Sequence, residues 1–414
     1  MKKKEEIMED ENIDTTKEIV TIKKEGFSYP EMVIIMIIAI LFGFLIGNVV
    51  SFTKKETTNS SVPSELKEFV DTYNDIVNNY YDKVNKEELI DAGIKGMINY
   101  LDDPYATYFD GTSSTNFNQT LEGNYEGVGI EVTLDNNRVK ITKVFADTPA
   151  KKAGIKVGDY ITKVNGESVN GKSLSDVVSL IKNAKNKEVE ITITRDNQEK
   201  TMKVTRTTVD MPYTSSKVYE ENGKKIGYLK IEMFSNNITK QVKKELESLK
   251  KKNIDKLVID VRDNPGGYLT QVTEILSLFM TKKDVIYQLQ TKNNKEKVYG
   301  TSSKATYSYP VVVLINENSA SASEILASAF KETYNAEIVG VNSYGKGTVQ
   351  KTGDLNNGDT IKYTVQKWLT PKGNWINEKG VTPTKEVKLE LKENEILTED
   401  NDNQLKAAIE LASK

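Results

Sequence analysis

Distinct patterns of apolar and polar positions follow one another along the 414 residues, and each predicts a different kind of structure. Residues 32–50, MVIIMIIAILFGFLIGNVV, run for 19 residues without a charge. As a helix they would span roughly 28 Å, about the thickness of a bilayer's hydrocarbon core. A buried core helix would keep a polar face, and a cleaved leader would follow a short basic stretch and end in small residues. Here about thirty mostly polar residues come first, and Val49, Val50, Ser51 and Phe52 make a poor cleavage site. The pattern predicts an uncleaved transmembrane signal anchor. Lys2, Lys3, Lys4, Lys17, Lys23 and Lys24 precede it, against Lys54 and Lys55 just after it. That excess predicts a cytoplasmic tail at 1–31 and an extracytoplasmic C-terminal part, held at the cell membrane by a single pass.

Residues 51–63, SFTKKETTNSSVP, read as a polar linker. Residues 64–117 read as a helical region, in which Leu66, Phe69, Val70 and Tyr73, then Leu89, Ala92, Ile94, Met97 and Ile98, recur at helical spacing. From 118 to 207 the period shortens to two. Alternating runs there are broken by turn signals at Asp135-Asn136-Asn137, Asn165-Gly166 and Asp196-Asn197, with one helix near Leu174–Asn183. Residues 208–398 change again: KIGYLKIEMF, KLVIDV, PVVVLIN and AEIVGV alternate with helical stretches at Ile238–Lys252, Leu269–Phe279 and about Ala322–Tyr334. Such alternation predicts a βα-layered core with largely parallel pairing. A closing helix is expected within 399–414. The fold class is therefore mixed α/β and multidomain.

Composition narrows the chemistry. The chain has no histidine and no cysteine. That excludes a Ser-His-Asp triad, a cysteine nucleophile, zinc fingers and disulfides. With 57 basic against 60 acidic residues and no basic stripe, nucleic acid is not an expected partner. No cluster of metal ligands accompanies the candidate site, so neither metal nor cofactor is expected.

Two small-residue clusters joined by an apolar stretch stand out in 316–350, one holding Ser321 and the other Lys346. DVRDNPGG (260–267), SASASE (319–324) and SYGKGTVQ (343–350) each follow a buried strand, at the edge where such folds place their sites. Ser321-Ala322-Ser323-Glu324 also fits a helix-capping box, S-x-x-E. The two roles are compatible, because a serine at a strand-to-helix turn faces the helix N-terminus and the following amide can stabilise an oxyanion. GVNSYGKG (340–347) nearly matches a phosphate-binding loop, but Gly347 stands where a magnesium-binding hydroxyl belongs, and little helical character follows. KTG (351–353) occurs in penicillin-recognising enzymes; its S-x-x-K partner would be SELK (64–67) or SLIK (179–182), both in other regions.

Two resemblances give these segments a context. Residues 118–207 resemble a PDZ domain, with Gly127, Val128, Gly129 and Ile130 similar to its carboxylate-binding loop and TPAKKAGIKVGDYI similar to its short helix and next strand. The physics of such a loop is plain: glycines let successive backbone N–H groups face one point, making a nest for an anionic chain end, while the bound peptide extends a sheet edge. Residues 64–414 resemble the C-terminal processing peptidases, also called tail-specific proteases, from the helical segment through DVRDNPGG and both catalytic clusters to GVTPT (380–384) and NQLKAAIELA. GVTPTKEV departs from relatives that carry an acidic residue after the proline.

The resemblance implies a serine endopeptidase with Ser321 as nucleophile, Lys346 as general base and Gln350 orienting the lysine. It further implies the backbone amides of Gly266 and Ala322 as the oxyanion hole, and peptide substrates with free C-termini. Because relatives dimerise through helical ends, it suggests residues 64–101 and 402–413 as contacts of a homodimer. A free lysine with a pKa near 10.4 is about one part in a thousand neutral at pH 7, so the base must be buried among apolar groups to work. The reading from another class is a non-catalytic, membrane-tethered PDZ scaffold.

Overall fold

A computed structural model of the chain describes residues 63–182, 184–392 and 395–414. The expected anchor at 32–50 and most of the linker lie outside the described residues; among those described, no helix is long and apolar enough to cross a membrane. The described chain divides into a unit ending at Leu89 and a second over Ile90–Lys414. The helices α1 (Lys67–Asn79) and α2 (Lys86–Tyr100) bury no residue, and Phe69 and Met97 stay about half exposed.

The strand β1 (Thr107–Phe109) and the helix α3 (Gly111–Glu122) follow. Asp110 caps α3 by accepting from the Ser113 amide, and Gly123, in the left-handed region, ends it. The alternating segment then folds as β2 (Asn124–Gly127), β3 (Ile130–Asp135), β4 (Arg138–Val144), the short helix α4 (Pro149–Lys152), β5 (Tyr160–Val164), β6 (Glu167–Ser168), α5 (Leu174–Lys182), β7 (Glu188–Arg195), β8 (Gln198–Thr205) and β9 (Thr207–Asp210). Its core is its own, from Val128, Ile141, Ile161, Val177, Ile191 and Val204 among others. The residues flagged as turns adopt positive φ, including Asn136, Asn137, Asn165, Gly166, Asp196 and Asn197. β3 lies at the edge of its sheet, in the order β3-β4-β5-β7-β8.

The rest is built on two sheets. β10 (Thr214–Glu221), β11 (Lys224–Ile231), β12 (Lys256–Asp260), β15 (Val311–Ile315), β16 (Glu337–Gly340) and β19 (Lys385–Glu386) lie side by side in that order, parallel from β11 onward. The helices α6 (Ile238–Lys251), α7 (Leu269–Leu276) and α8 (Ala322–Glu332) cover one face, with Leu246, Ile259, Ile275, Val313 and Phe330 fully buried between. The closing helix α9 (Asn403–Ser413) covers the other through Leu405, Ala408, Ile409 and Ala412 against Val258, Leu314 and Val339. Burying each of the Val, Leu, Ile and Phe side chains stabilises by about 1.5–3 kcal/mol, the alanines less, so each face has a substantial hydrophobic anchor. The strands that alternate with helices are thus buried on both faces, which is why they read as continuous apolar runs.

Arg262 fastens α9 to this sheet. Its guanidinium, buried, bonds Asp260 (Nη2 to Oδ2, 2.7 Å) and the α9 capping residue Asp402 (Nη2 to Oδ2, 2.8 Å). Burial alone would push Arg262 down, but Asp260 and Asp402 outweigh it and hold it charged.

Several expectations need correction. The second sheet was not foreseen: β18 (Thr360–Leu369) pairs with β1, β13 (Val285–Gln290) and β17 (Thr348–Asp354), and β14 (Lys295–Tyr299) pairs with β13. The end of the expected helical region therefore belongs to the core sheet, and α3 runs across the boundary set at 117/118. Helix α7 stops at Leu276 rather than 279, and α8 at Glu332. Helix α9, within the segment 402–413 suggested as a dimer contact, packs its apolar face on the chain's own sheet.

Candidate active site

The expected site segments leave the C-terminal ends of the adjacent strands β12, β15 and β16, which brings distant sequence together at one edge. Side chains stitch the first two loops. Asp263 accepts from Asn316 Nδ2 (2.8 Å) and Asn318 Nδ2 (2.9 Å), while the Asn264 carbonyl accepts from the Ala320 amide (3.0 Å) and Ser323 Oγ (2.9 Å).

Ser321 stands at the turn into α8 with φ 54° and ψ −113°. A serine rarely takes that conformation, which costs about 1–3 kcal/mol and persists only where neighbours enforce it. One neighbour is Gly266. A Cβ there would sit 2.8 Å from the Ser321 Cβ and 3.0 Å from the Ala322 nitrogen, so only glycine admits this approach. The other is Glu324, whose Oε2 accepts from the Ser321 amide at 2.8 Å and supplies the carboxylate half of the capping box.

Glu324 does much more than cap. It is fully buried, and it also accepts from Ser343 Oγ (2.6 Å), the Gly345 amide (2.7 Å) and the Lys346 amide (2.9 Å). Burial raises its pKa, and the donors from Ser343, Lys346, Gly345 and Ser321 pull it part of the way back. One carboxylate thus joins the serine's backbone to the lysine's. The lysine loop is pinned on its other side, where Trp368 Nε1 donates to the Lys346 carbonyl (2.7 Å) and Trp375 Nε1 to that of Gly347 (2.9 Å). A Cβ on Gly347 would lie 2.6 Å from Trp375 Nε1.

Ser321, Lys346 and Gln350 all line one cleft of about 370 Å³, whose apolar wall includes Phe117, Leu121, Met233, Leu269 and Val349. Lys346 is held well below its ordinary range, at about 8, by burial first and by the nearby Lys362 second, against opposing pulls from Asp103 and Glu324. Its Nζ lies 4.8 Å from the Tyr105 ring centroid, in a cation–π contact. Tyr105 itself is pushed up to about 12, chiefly by burial. Gln350 Nε2 donates to Thr348 Oγ1 (2.9 Å) and Thr364 Oγ1 (3.1 Å) rather than to the lysine.

Of the two expected oxyanion donors, the Ala322 amide opens α8, where helical N–H groups lack internal partners. The Gly266 amide is turned elsewhere and donates to Asn264 Oδ1 at 2.9 Å; Gly267, not Gly266, lines the cleft. Tyr105 and Lys362 carried no site signal in sequence, whereas Asn264 and Glu324 lay inside the segments DVRDNPGG and SASASE with no site role of their own, Glu324 being read as half of a capping motif.

The segment at Gly127, Val128, Gly129 and Ile130 connects β2 to β3 and lies against α4, where the Ala150 amide donates to the Val128 carbonyl at 2.9 Å. Gly129 has φ +88°, and a Cβ there would lie 2.3 Å from that of Thr148. Beside the segment runs a second cleft, about 440 Å³, between β3 and α5, lined by Ile130, Val132, Leu174 and Val178 and reaching Met211 and Tyr213.

The model of peptidase family S41 matches residues 225–387, a PDZ domain model matches 140–195, and the N-terminal domain of the activating protease CtpB matches 47–113. The carboxy-terminal processing protease CtpA of Bacillus subtilis is 36% identical over 349 residues, covering 84% of this chain and 73% of that protein. The chain belongs to the carboxy-terminal processing proteases of family S41. CtpB of the same organism is 40% identical over 318 residues, covering 76% of this chain and 66% of CtpB's own length, about two thirds. A probable CtpA-like serine protease of Staphylococcus saprophyticus is 32% identical over 385 residues, covering 92% of this chain and 77% of that one. The peptidase match spans β11 to β19, the elements that carry the serine and lysine loops. This S41 chain therefore has its PDZ segment inserted between the β1–α3 segment and the rest of the peptidase core.

Glu324→Gln tests what the carboxylate does. An amide cannot accept at both ends, so either the Ser321 and Lys346 amides or the Gly345 amide and the Ser343 hydroxyl would face an NH₂ group. We expect kcat on a peptide substrate to fall roughly a hundredfold through misplacement of the reacting groups, with KM little changed. Unchanged kcat would show that the loops hold their alignment without it.

Proposed function

We propose that this family member is a membrane-anchored, extracytoplasmic serine endopeptidase that cleaves through a Ser321–Lys346 pair with Gln350 as orienting partner. The observation that carries this is the meeting of Ser321 with a buried lysine whose amine is lowered to about 8 in a single cleft. At that value about one amine in ten is neutral at pH 7, against one in a thousand for free lysine. Lys346 takes the Ser321 proton as Oγ attacks the scissile carbonyl, giving an acyl-enzyme, and returns it to the leaving amine. In this reading the amine leaves the Tyr105 ring, 4.8 Å away, and turns to the serine across the cleft that both line. Backbone amides at Ala322 and at the 266–267 turn, once released from Asn264, would stabilise the oxyanion. Gln350 suits its part because a neutral amide orients the amine without favouring its charge.

If Lys346 accepts a proton, Lys346→Arg should be as inactive as Ser321→Ala, because a guanidinium stays charged. Wild-type kcat/KM should rise with pH through about 8, as the depressed amine loses its proton. Peptide cleavage across a pH series, with circular dichroism to establish folding, checks both. An active Lys346→Arg enzyme refutes the base.

The PDZ segment offers the free edge of β3 and the loop ending at Gly129 to an extended, anionic chain end. A peptide with a free C-terminus should bind the full chain at least severalfold more tightly than its amidated form. Equal affinities would remove C-terminal recognition and leave proteolysis standing.

The uncharged stretch 32–50 and the lysines before it support the anchored orientation. Protease added to cells stripped of their outer layers should digest the chain beyond Ser51. Protection of 64–414 until lysis would reverse the topology.

A further inference from the structure

Lys346 shares its cleft with a second lysine. Lys362, on β18, is half-buried and lines the same cavity. Its Nζ lies 5.2 Å from the Phe109 ring centroid and 5.3 Å from that of Phe117. On the antiparallel β17–β18 pair, Lys362 stands opposite Thr352 and Thr364 opposite Gln350. Residues two apart share a face of a strand, so Lys362 is on the face of Thr364, whose hydroxyl holds the Gln350 amide. The placement is fixed by a sheet rather than by a flexible loop.

We propose that Lys362 is a positioning residue for the base: its ammonium, seated on the Phe109 and Phe117 rings in the same cleft, disfavours a second ammonium at Lys346 and keeps that amine available to accept the serine's proton. This rests on the Ser321–Lys346 chemistry proposed above. A neighbouring cation is one of the established ways to make a lysine basic group work near neutrality, alongside burial. The groups that face Lys346 are Lys362 from β18, Asp103 and the Tyr105 ring from the segment before β1, and Glu324 from α8. Asp103 and Glu324 favour the ammonium, the Tyr105 ring does likewise as a cation–π partner, and Lys362 opposes them. Asp103 also acts on Lys362, and burial lowers Lys362 itself. The two aromatic rings stabilise its charged form, so Lys362 keeps the positive role while Lys346 gives it up. Without Lys362, burial would be the remaining influence against the Lys346 ammonium, set against both carboxylates and the ring.

The test reads the rate at which a small uncharged alkyl fluorophosphonate modifies Ser321 in the full chain, together with kcat/KM on an uncharged peptide, across pH. Neutral probes leave no carboxylate for Lys362 to bind as a substrate counter-ion. Lys362→Met should displace the rising limb of both profiles to higher pH, with a roughly five- to tenfold loss at pH 7 that disappears on the alkaline plateau. Lys362→Arg keeps the charge and should keep the wild-type profile. An undisplaced limb in the Met variant overturns the proposal, and so does an equal loss at every pH, which is what lost packing on Phe109 and Phe117 would give. Lys346→Arg in the same assay separates the two layers: if it reacts like wild type, the general-base reading fails instead. If thermal unfolding shows that Lys362→Met and Lys362→Gln do not fold, carbon-13 NMR of lysine ε-carbons in the wild type decides. Coupled, two-step titration of Lys346 and Lys362 is expected, and an independent single step for Lys346 overturns the proposal.

Discussion

The candidate site depends on one buried carboxylate. Glu324 has no exposure to solvent, yet it accepts from the backbone of Ser321, Gly345 and Lys346 and from the hydroxyl of Ser343. Burying an ion costs several kcal/mol, and a hydrogen bond to a charged group returns about 1.5–3. Four donors are thus about what is needed to make the burial tolerable. The consequence is geometric. Loops from β15 and β16 cannot separate without stripping an ion of its partners, and the strained φ of Ser321 is held by the same bond.

Electrostatics in the cleft is arranged around a contradiction. The fold buries Lys346 without pairing it, and in the proposed mechanism a close carboxylate partner would restore the charge that the amine has to lose. Glu324 and Asp103 are near enough to be felt, but Glu324 spends its oxygens on amides and a hydroxyl. Arg262 shows the opposite treatment one strand away. There two aspartates surround a buried cation and keep it charged, and the pair fastens the closing helix beneath the loop that carries Gly266. Both groups are buried cations; what differs is which acids touch them.

Much of the fold was legible because it follows from local rules. The switch of period from two to a βα alternation located the PDZ segment and the parallel sheet, and Asn and Gly pairs marked the turns that adopt positive φ. Ser321 and Lys346 stood out as candidates through the motifs that resemble the family's, and the lack of histidine and cysteine only removed the commoner alternatives. The second sheet was not legible. β1 is three residues long and pairs with β18 some 250 positions later, and no periodicity shows in so short a strand. The expected boundary at 117/118 falls within α3.

What the sequence by itself determined is the order of the PDZ segment, the parallel strands and their helices, and the chemical types available, while its motifs carried the resemblance to the family. The first two are properties of neighbours along the chain, where propensity and periodicity act. Only the tertiary structure decided which groups surround the amine. Glu324 reads in sequence as half of a helix cap, Lys362 as one lysine of many, and Tyr105 as a residue in a turn. Their meaning comes from the adjacency of β12, β15 and β16 and from the pairing of β17 with β18, which set groups from residue 103 to residue 362 around one nitrogen. The electrostatic interactions that move a pKa fall off with distance in space and take no account of distance along the chain. A sequence can therefore offer a candidate base, but not the field around it.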